Sequence, residues 1–529
     1  MSLTPEKGDI NVTSKNLCPR ASVDWQKLKF IAFWVFAIGL VAHGYCYFNA
    51  NFSHDSLYSL YEERPDMMIS LGRYLRPVYR LLRGNFALPV INGFLSLCFL
   101  TLSVYLLTDL LDIQKKGFVA LTCGLLTANT TVALMNATYL HDVDSYGLAL
   151  FLALAGVWVS LRLRRGIWWS TLFYFASLGI YQAYINVAVY VFLILALVQL
   201  LKGEGVKKVY LRTIRYFLPI AAGMVLYYIG VRVTQQLAHL SGTGLYNSPS
   251  TAVTLHSLAG RFIACAQALG LWFFSSAAHA RGAVIGANVL MLALAVFLTA
   301  ALVRQRRLPA ASVWGILGIL AAIPLGMNTV TLLSNVYHWL TVFSFYLSYL
   351  CVLVLAQLYF ETSGREKAAR FAQRVWAVLA AVLIIDSCLF SNEVYLKKEL
   401  EDSATLSTFT RIVDRMEQTE GFVPGETRVA FVGLLYNSPL SRERAGFDYT
   451  ATGLWHNYST TYHDTYETYL SYYLGYPADC VDSGEIEKYE QLEQVAAMHP
   501  FPAADSIRMI DGVLVIKLSD LPVEDGADG

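Results

Sequence analysis

The sequence predicts a polytopic α-helical membrane protein of about eleven transmembrane helices, followed by a small C-terminal α/β domain. Three observations predict it. The chain is 56% hydrophobic and only 15% charged, with a mean hydropathy of +0.45, far from the usage of a soluble protein of this length. Apolar runs close to the ~20 residues that cross a bilayer recur along its first 390 or so positions. The character then changes: from Glu393 onward there are 10 basic and 24 acidic residues, leaving 30 basic and 15 acidic before it.

Residues 1–27 form a polar N-terminus. The first apolar run, 28–48, is longer than a signal-peptide core and lacks a small-residue cleavage site, so it reads as a retained span. Further runs lie at 87–108, 118–137, 142–161, 167–181, 183–201, 214–235, 284–303, 311–329, 337–359 and 374–391. Lys115 and Lys116, the arginines at 162, 164 and 165, the basic group from Lys202 to Arg215, Arg304 to Arg307, and Arg365 to Arg374 all fall on the side of the N-terminus. Basic loops stay in the cytoplasm, which orients the chain. The loop 49–86, the turns near 138–141 and 180–184, the segment 236–283, the loop 326–336 and the C-terminal part then face outward.

Segment 236–283 reads as a loop with an interfacial helix near Arg261 to Phe274, with room for an extra re-entrant span. Residues 393–529 read as the α/β domain, with a charged helix Val394 to Glu417, a strand Arg428 to Gly433, a tyrosine-rich middle and a strand Gly512 to Lys517. Only one of the eight cysteines, Cys480, lies in that part, so no disulfide framework holds it. No tandem repeat of roughly 20 to 50 residues occurs, against a solenoid or propeller. Walker A, GxSxG, HExxH and paired CxxC motifs are absent, which argues against an ATPase, a serine hydrolase, a zincin and a structural zinc site.

Polarity gathers on the outward side. Eight Lys or Arg lie there in the membrane part, and five of them (Arg64, Arg73, Arg76, Arg80, Arg83) crowd the first outer loop. Basic charge on that side runs against the topology rule, and an anionic substrate explains it. Arg73, Arg76, Arg80 and Arg83 are spaced three, four and three, a stripe on one helix face interrupted at Pro77. The same stripe suits an interfacial helix binding lipid head groups. Arginine offers two hydrogen bonds to one phosphate from a planar fork. Arg261 and Arg281 are further candidates for phosphate binding.

Outward carboxylates are few, so an acid or base comes from Asp55, Glu62, Glu63, Asp66, Asp142, Asp144 or Asp386. Asp55 follows His54 just beyond the first span. Asp142 and Asp144 follow His141 at a tight turn, where one of them also suits the cap of the next helix. Ionisable groups at membrane depth are costly and usually functional. His141, then Tyr181, Gln182 and Tyr184 at the next outward turn, and His338 and Trp455 farther on, offer groups that hydrogen-bond or stack on sugars. Tyr462, Tyr466, Tyr469 and Tyr473 form an aromatic face, read as a docking surface for the membrane part or a sugar platform.

The segments Asn49 to Ser56, Gly72 to Pro77, Leu88 to Asn92, Tyr139 to Asp144 and Ser177 to Gln182, in that order, resemble the Gtr-type O-antigen glucosyltransferases of bacteria and their phages, of the GT-C superfamily. The resemblance runs over roughly residues 30–200 and is compatible in span count to about 390. It implies a GT-C-like fold in the bacterial cytoplasmic membrane and transfer of a hexose, typically glucose, from a polyprenyl-phosphate carrier to a polysaccharide or lipid-linked glycan acceptor on the outer face. The carboxylate early in the first outer loop is that superfamily's usual base, and Asp55 matches it. Relatives often carry an acidic pair there. Here His54 precedes Asp55, so a two-carboxylate metal site is not expected, and His54 becomes a helper. Partners beyond the donor and acceptor are membrane lipids, with no nucleic acid and no cofactor. A lipid-linked sugar transporter, or another envelope enzyme such as a polymerase or acyltransferase, would use the same arginines.

Overall fold

The computed structural model describes residues 23–49, 53–57, 59, 65–240, 255–275, 281–334, 339–362, 366–435 and 463–520. The main helices are α1 (Trp25–Phe48), α2 (Leu75–Arg83), α3 (Pro89–Leu110), α4 (Lys116–Thr127), α5 (Thr130–Tyr139), α6 (Val143–Arg162), α7 (Gly166–Ile180), α8 (Ile185–Leu201), α9 (Val206–Leu237), α10 (Leu255–Phe274), α11 (Gly282–Gln305), α12 (Ala310–Met327), α13 (Leu347–Thr362) and α14 (Glu366–Gln418). Among the described residues nine helices are long and apolar enough to cross a membrane, or ten if the bent pair α4–α5 is one span. The expected eleven is corrected accordingly. The run 167–181 folds as α7, whose 15 residues reach about 22 Å at ~1.5 Å per residue, short of a ~30 Å hydrocarbon core.

The run 118–137 breaks into α4 and α5, bent by 41°. Asn129 makes the break tolerable: its amide donates to the carbonyls of Leu125 and Leu126, and its oxygen accepts from the Val132 N–H. His43 Nε2 meets the Thr127 carbonyl at 3.0 Å. Backbone groups freed inside a bundle need such partners, because lipid supplies none.

Helices α6, α8 and α13 are central and α9 and α11 peripheral. Gly156 and Gly223 both abut Tyr174, so α6, α7 and α9 approach closely where only small residues fit.

The last span and the predicted charged helix are one rod. The 53 residues of α14 extend roughly 80 Å, burying Trp376 in the bundle and Phe409, Ile412 and Met416 in the C-terminal domain. That domain is a four-stranded sheet in the order β2-β1-β4-β3. Strand β1 (Arg428–Val432) runs parallel to β2 (Asp479–Cys480) and β4 (Val513–Lys517), while β3 (Ile507–Ile510) pairs antiparallel with β4. Side chains alternate between faces: Val429, Phe431, Leu514 and Ile516 pack toward α14 and Tyr466, whereas Ala430, Val432 and Val515 meet Ile486 and Val495. Leu57, from the connection between α1 and α3, also lies in the first of these cores.

Candidate active site

The site forms around the turn between α5 and α6, against which the connection between α1 and α3 is folded. A helix end leaves four carbonyls without intrahelical donors. At the end of α5 each finds one from a different part of the chain. Cys46 Sγ reaches the Asn136 carbonyl at 3.4 Å, Lys398 Nζ donates to Ala137, Ser53 Oγ donates to Thr138 at 2.5 Å, and the Asp142 N–H donates to Tyr139 at 2.8 Å. Asn92 Nδ2 donates to the Leu140 carbonyl (3.1 Å) and Arg83 Nη2 to that of His141 (2.9 Å). The turn is thereby fixed by α1, α2, α3, α14 and the segment 53–57.

In α2, Pro77 occupies the first turn, where a missing N–H costs nothing, so it starts the helix rather than interrupting it. The arginine face turns inward. Arg76 and Arg80 are buried, whereas Val78, Leu81 and Leu82 are 53%, 77% and 85% exposed, the arrangement of an amphipathic helix whose apolar side meets lipid. Arg76 Nη2 pairs with Asp142 Oδ2 at 2.6 Å, and Arg83 Nε with Asp144 Oδ2 at 3.0 Å. The Tyr79 hydroxyl donates to Asp144 Oδ2 at 3.0 Å, and Arg80 donates to the Asn85 carbonyl. His141 Nε2 lies 3.3 Å from Asp142 Oδ2. Burial alone raises a carboxyl, but Arg76, then His141, Arg80 and Arg73, outweigh it and hold Asp142 below the usual carboxylate range. Asp142 occupies the cap position of α6 without making a cap hydrogen bond, so its partner is the arginine.

Arg73 takes another course. Its guanidinium lies 5.0 Å from the centre of the Tyr181 ring and lines a cavity of about 330 Å³, together with Gly72, Tyr139, Tyr146, Gln182 and Tyr227. Ligand sites typically fall in this size range, with an apolar wall and a few placed polar groups. Leu178, Ile185, Met224 and Val231 supply the apolar part here. Gln182 Nε2 donates to the Leu71 carbonyl (3.0 Å) and to the Tyr227 hydroxyl (2.8 Å), tying α9 to the loop that carries Arg73.

Gly72 permits that approach. Its φ is +74°, and a Cβ there would collide with the Tyr227 hydroxyl. Gly72→Ala is expected to cost at least ~1–2 kcal/mol from the backbone alone and to lower the melting temperature of the detergent-solubilised protein. An unchanged melting curve would contradict the tight packing described.

The remaining candidates are dispersed. Tyr184 is buried, its hydroxyl 3.4 Å from the Met135 sulfur, and does not line the cavity. Arg261 Nη1 donates to the Leu332 carbonyl at 3.1 Å. Arg281 pairs with Asp386 at 3.2 Å and with Glu393. Neither arginine lines the cavity. The backbone of His54 and Asp55 forms the short helix His54–Leu57, but their side chains lie outside the described residues, as do Arg64, His338 and Trp455 entirely. Ser53 and Leu57 bracket the pair, the first bonded to α5 and the second buried in the C-terminal core. Among the described residues no group of three or more His, Cys, Asp or Glu is placed to hold a metal ion.

Tyr79, Tyr139, Tyr146, Tyr227 and Arg232 were not evident as site residues in the sequence. Arg232 carried a signal, a charge within an apolar run. The tyrosines did not, because such residues are common near membrane surfaces.

No curated protein and no solved structure matches the chain. A family model, Glucosyl transferase GtrII, matches residues 44–355. That stretch is more than half the chain and contains the first connection, the Asp142 turn and the cavity. The protein is therefore a member of the GtrII glucosyl transferase family.

Proposed function

We propose that this membrane glucosyltransferase moves glucose from a polyprenyl-phosphate donor to a cell-surface glycan, such as an O-antigen, on the outer face of the bacterial cytoplasmic membrane, in GT-C fashion. One observation carries the reading. The segment bearing Asp55 is hydrogen-bonded through Ser53 to the same turn whose Asp142 anchors Arg76, beside a cavity that Arg73 and a set of tyrosines line.

In this reading the acceptor hydroxyl oxygen attacks the anomeric carbon as the bond from that carbon to the phosphate oxygen breaks. The bonding pair leaves on the lipid phosphate, and the hydroxyl proton passes to the Asp55 carboxylate, a general-base role. The anomeric configuration inverts. Arg73 faces the phosphate, where a cation fixed before reaction stabilises the leaving charge without reorganisation. Asp142 and Asp144 hold Arg76 and Arg83, and so the α2 framework, in place. Gln182 and the tyrosines meet the sugar, and the apolar wall takes the first prenyl units.

The test uses purified full-length protein, a short-chain polyprenyl-phosphate glucose and a lipid-linked glycan acceptor, with and without chelator. The expected product is a glucosylated glycan with inverted anomeric configuration, formed equally with chelator. Donor binding without turnover on any acceptor would overturn the reading in favour of a transporter.

A further inference from the structure

Arg232 enters the same cavity as Arg73 from a different element, the last turns of α9. Its Nε donates to the Tyr228 hydroxyl at 3.0 Å, and its guanidinium lies 5.1 Å from the centre of that ring. Among the described residues it has no carboxylate partner, unlike Arg76 with Asp142 and Arg83 with Asp144. Both of its terminal nitrogens are without hydrogen bonds among those residues. Arg232 is exposed near the C-terminal end of α9, so its guanidinium is accessible to a ligand that enters the cavity, the usual role of cationic side chains on membrane helices. The Tyr228 hydroxyl takes up Nε, and among the described residues the fork has no other partner.

The rest of the α9 wall suits a lipid phosphate. Met224, Tyr228, Val231 and Gln235 recur at helical spacing along one face and all line the cavity. That face mixes apolar surface with hydrogen-bonding groups, as an amphiphile with a charged head requires.

We infer that Arg232 is a second ligand for the donor's phosphate, so that the phosphate is held between guanidinium groups of Arg73 and Arg232 while the prenyl chain leaves along α9. This rests on the cavity being the donor site. Two guanidinium forks can satisfy a phosphate's oxygens better than one. They also select a phosphate over the neutral head of an uncharged glycolipid.

The test is binding of farnesyl monophosphate to the full-length protein in phosphatidylcholine nanodiscs, for wild type, Arg232→Ala, Arg232→Lys and Arg73→Ala, with melting temperatures as the folding control. Arg232→Ala is expected to bind about ten- to hundredfold more weakly, the size of one charge-assisted hydrogen bond, with Arg232→Lys in between. Inorganic phosphate and added phosphatidylglycerol are expected not to compete. Unchanged affinity in Arg232→Ala, with Arg73→Ala impaired, would overturn this inference alone. Unchanged affinity in both would remove the cavity as the donor site. Competition by phosphatidylglycerol would assign Arg232 to bulk lipid head groups, and competition by inorganic phosphate would reduce the site to one for a free anion.

Discussion

Asp55→Asn is expected to lower glucosyl transfer by ~10²–10⁴-fold, the usual contribution of a positioned general base, while expression, membrane insertion and melting temperature stay close to wild type. The amide keeps the shape of the side chain and loses only its capacity to take a proton. The neighbouring anchors are made by other side chains: Ser53 binds the end of α5, and Leu57 is enclosed with Phe409, Tyr466 and Tyr469. The measurement is initial-rate transfer at saturating donor, alongside donor affinity, which is expected to be unchanged. Transfer retained above about a tenth would lie outside that range and would move the base to Asp142 or Asp144.

Asp142→Asn is expected to fail in a different way. It removes a counter-charge 2.6 Å from Arg76, a cation only 2% exposed, and breaking a buried pair from one side costs ~3–5 kcal/mol. Donor binding and melting temperature should fall together, because the turn that seats Ser53, Asn92 and Arg83 loses its anchor. The pH dependence follows from the same pair. Arg76 and its neighbours hold Asp142 below its unfolded value, so its stabilisation is fully present above roughly pH 4, the unperturbed range of a carboxylate, and is lost as pH falls through the depressed value. The wild type should show this acid limb in thermal stability, and Asp142→Asn should lack it. A variant as stable as wild type at neutral pH would refute the structural role given to the pair.

Much of the architecture was legible because lipid imposes a simple code: apolar runs become helices, and basic linkers mark one side. The departures have local causes. Asn129 splits one run by serving both helix ends, and the run 167–181 forms a short helix of its own that stops where Tyr181 becomes extended, too short to span. The rod α14 joins two predicted elements because nothing between Asp386 and Val394 breaks a helix. In the C-terminal domain, β1 and β4 follow the predicted strands closely, since both are short apolar runs bounded by turn residues.

The site was legible in its membership and not in its pairing. The three-four-three spacing predicted one face for all four arginines; Arg76, Arg80 and Arg83 share a face of α2, whereas Arg73 precedes the helix and turns to Tyr181, and which face turns inward depends on the surroundings. In lipid Val78, Leu81 and Leu82 point out and the arginines point in. Arg76 and Asp142 are 66 residues apart, and no spacing rule joins them. The tyrosine face of the C-terminal domain was read as a docking or sugar-stacking surface. Tyr466 and Tyr469 help build that domain's core, and Leu57 of the membrane part packs into the same core, so this face does meet the membrane part, as the docking reading expected. Gln182 was singled out for its amide, and its bonds to Leu71 and Tyr227 place it on the cavity wall.

The central claim is that a lipid-linked glucose sits with its phosphate at Arg73 and its anomeric carbon toward residue 55. The most direct measurement is a structure of the Asp55→Asn variant bound to a short-chain polyprenyl-phosphate glucose. The account predicts the phosphate within hydrogen-bonding distance of the Arg73 guanidinium, the prenyl chain along Met224 and Val231, and the anomeric carbon facing the 53–57 segment. A donor bound elsewhere, or a sugar turned away from that segment with the cavity empty, would contradict it.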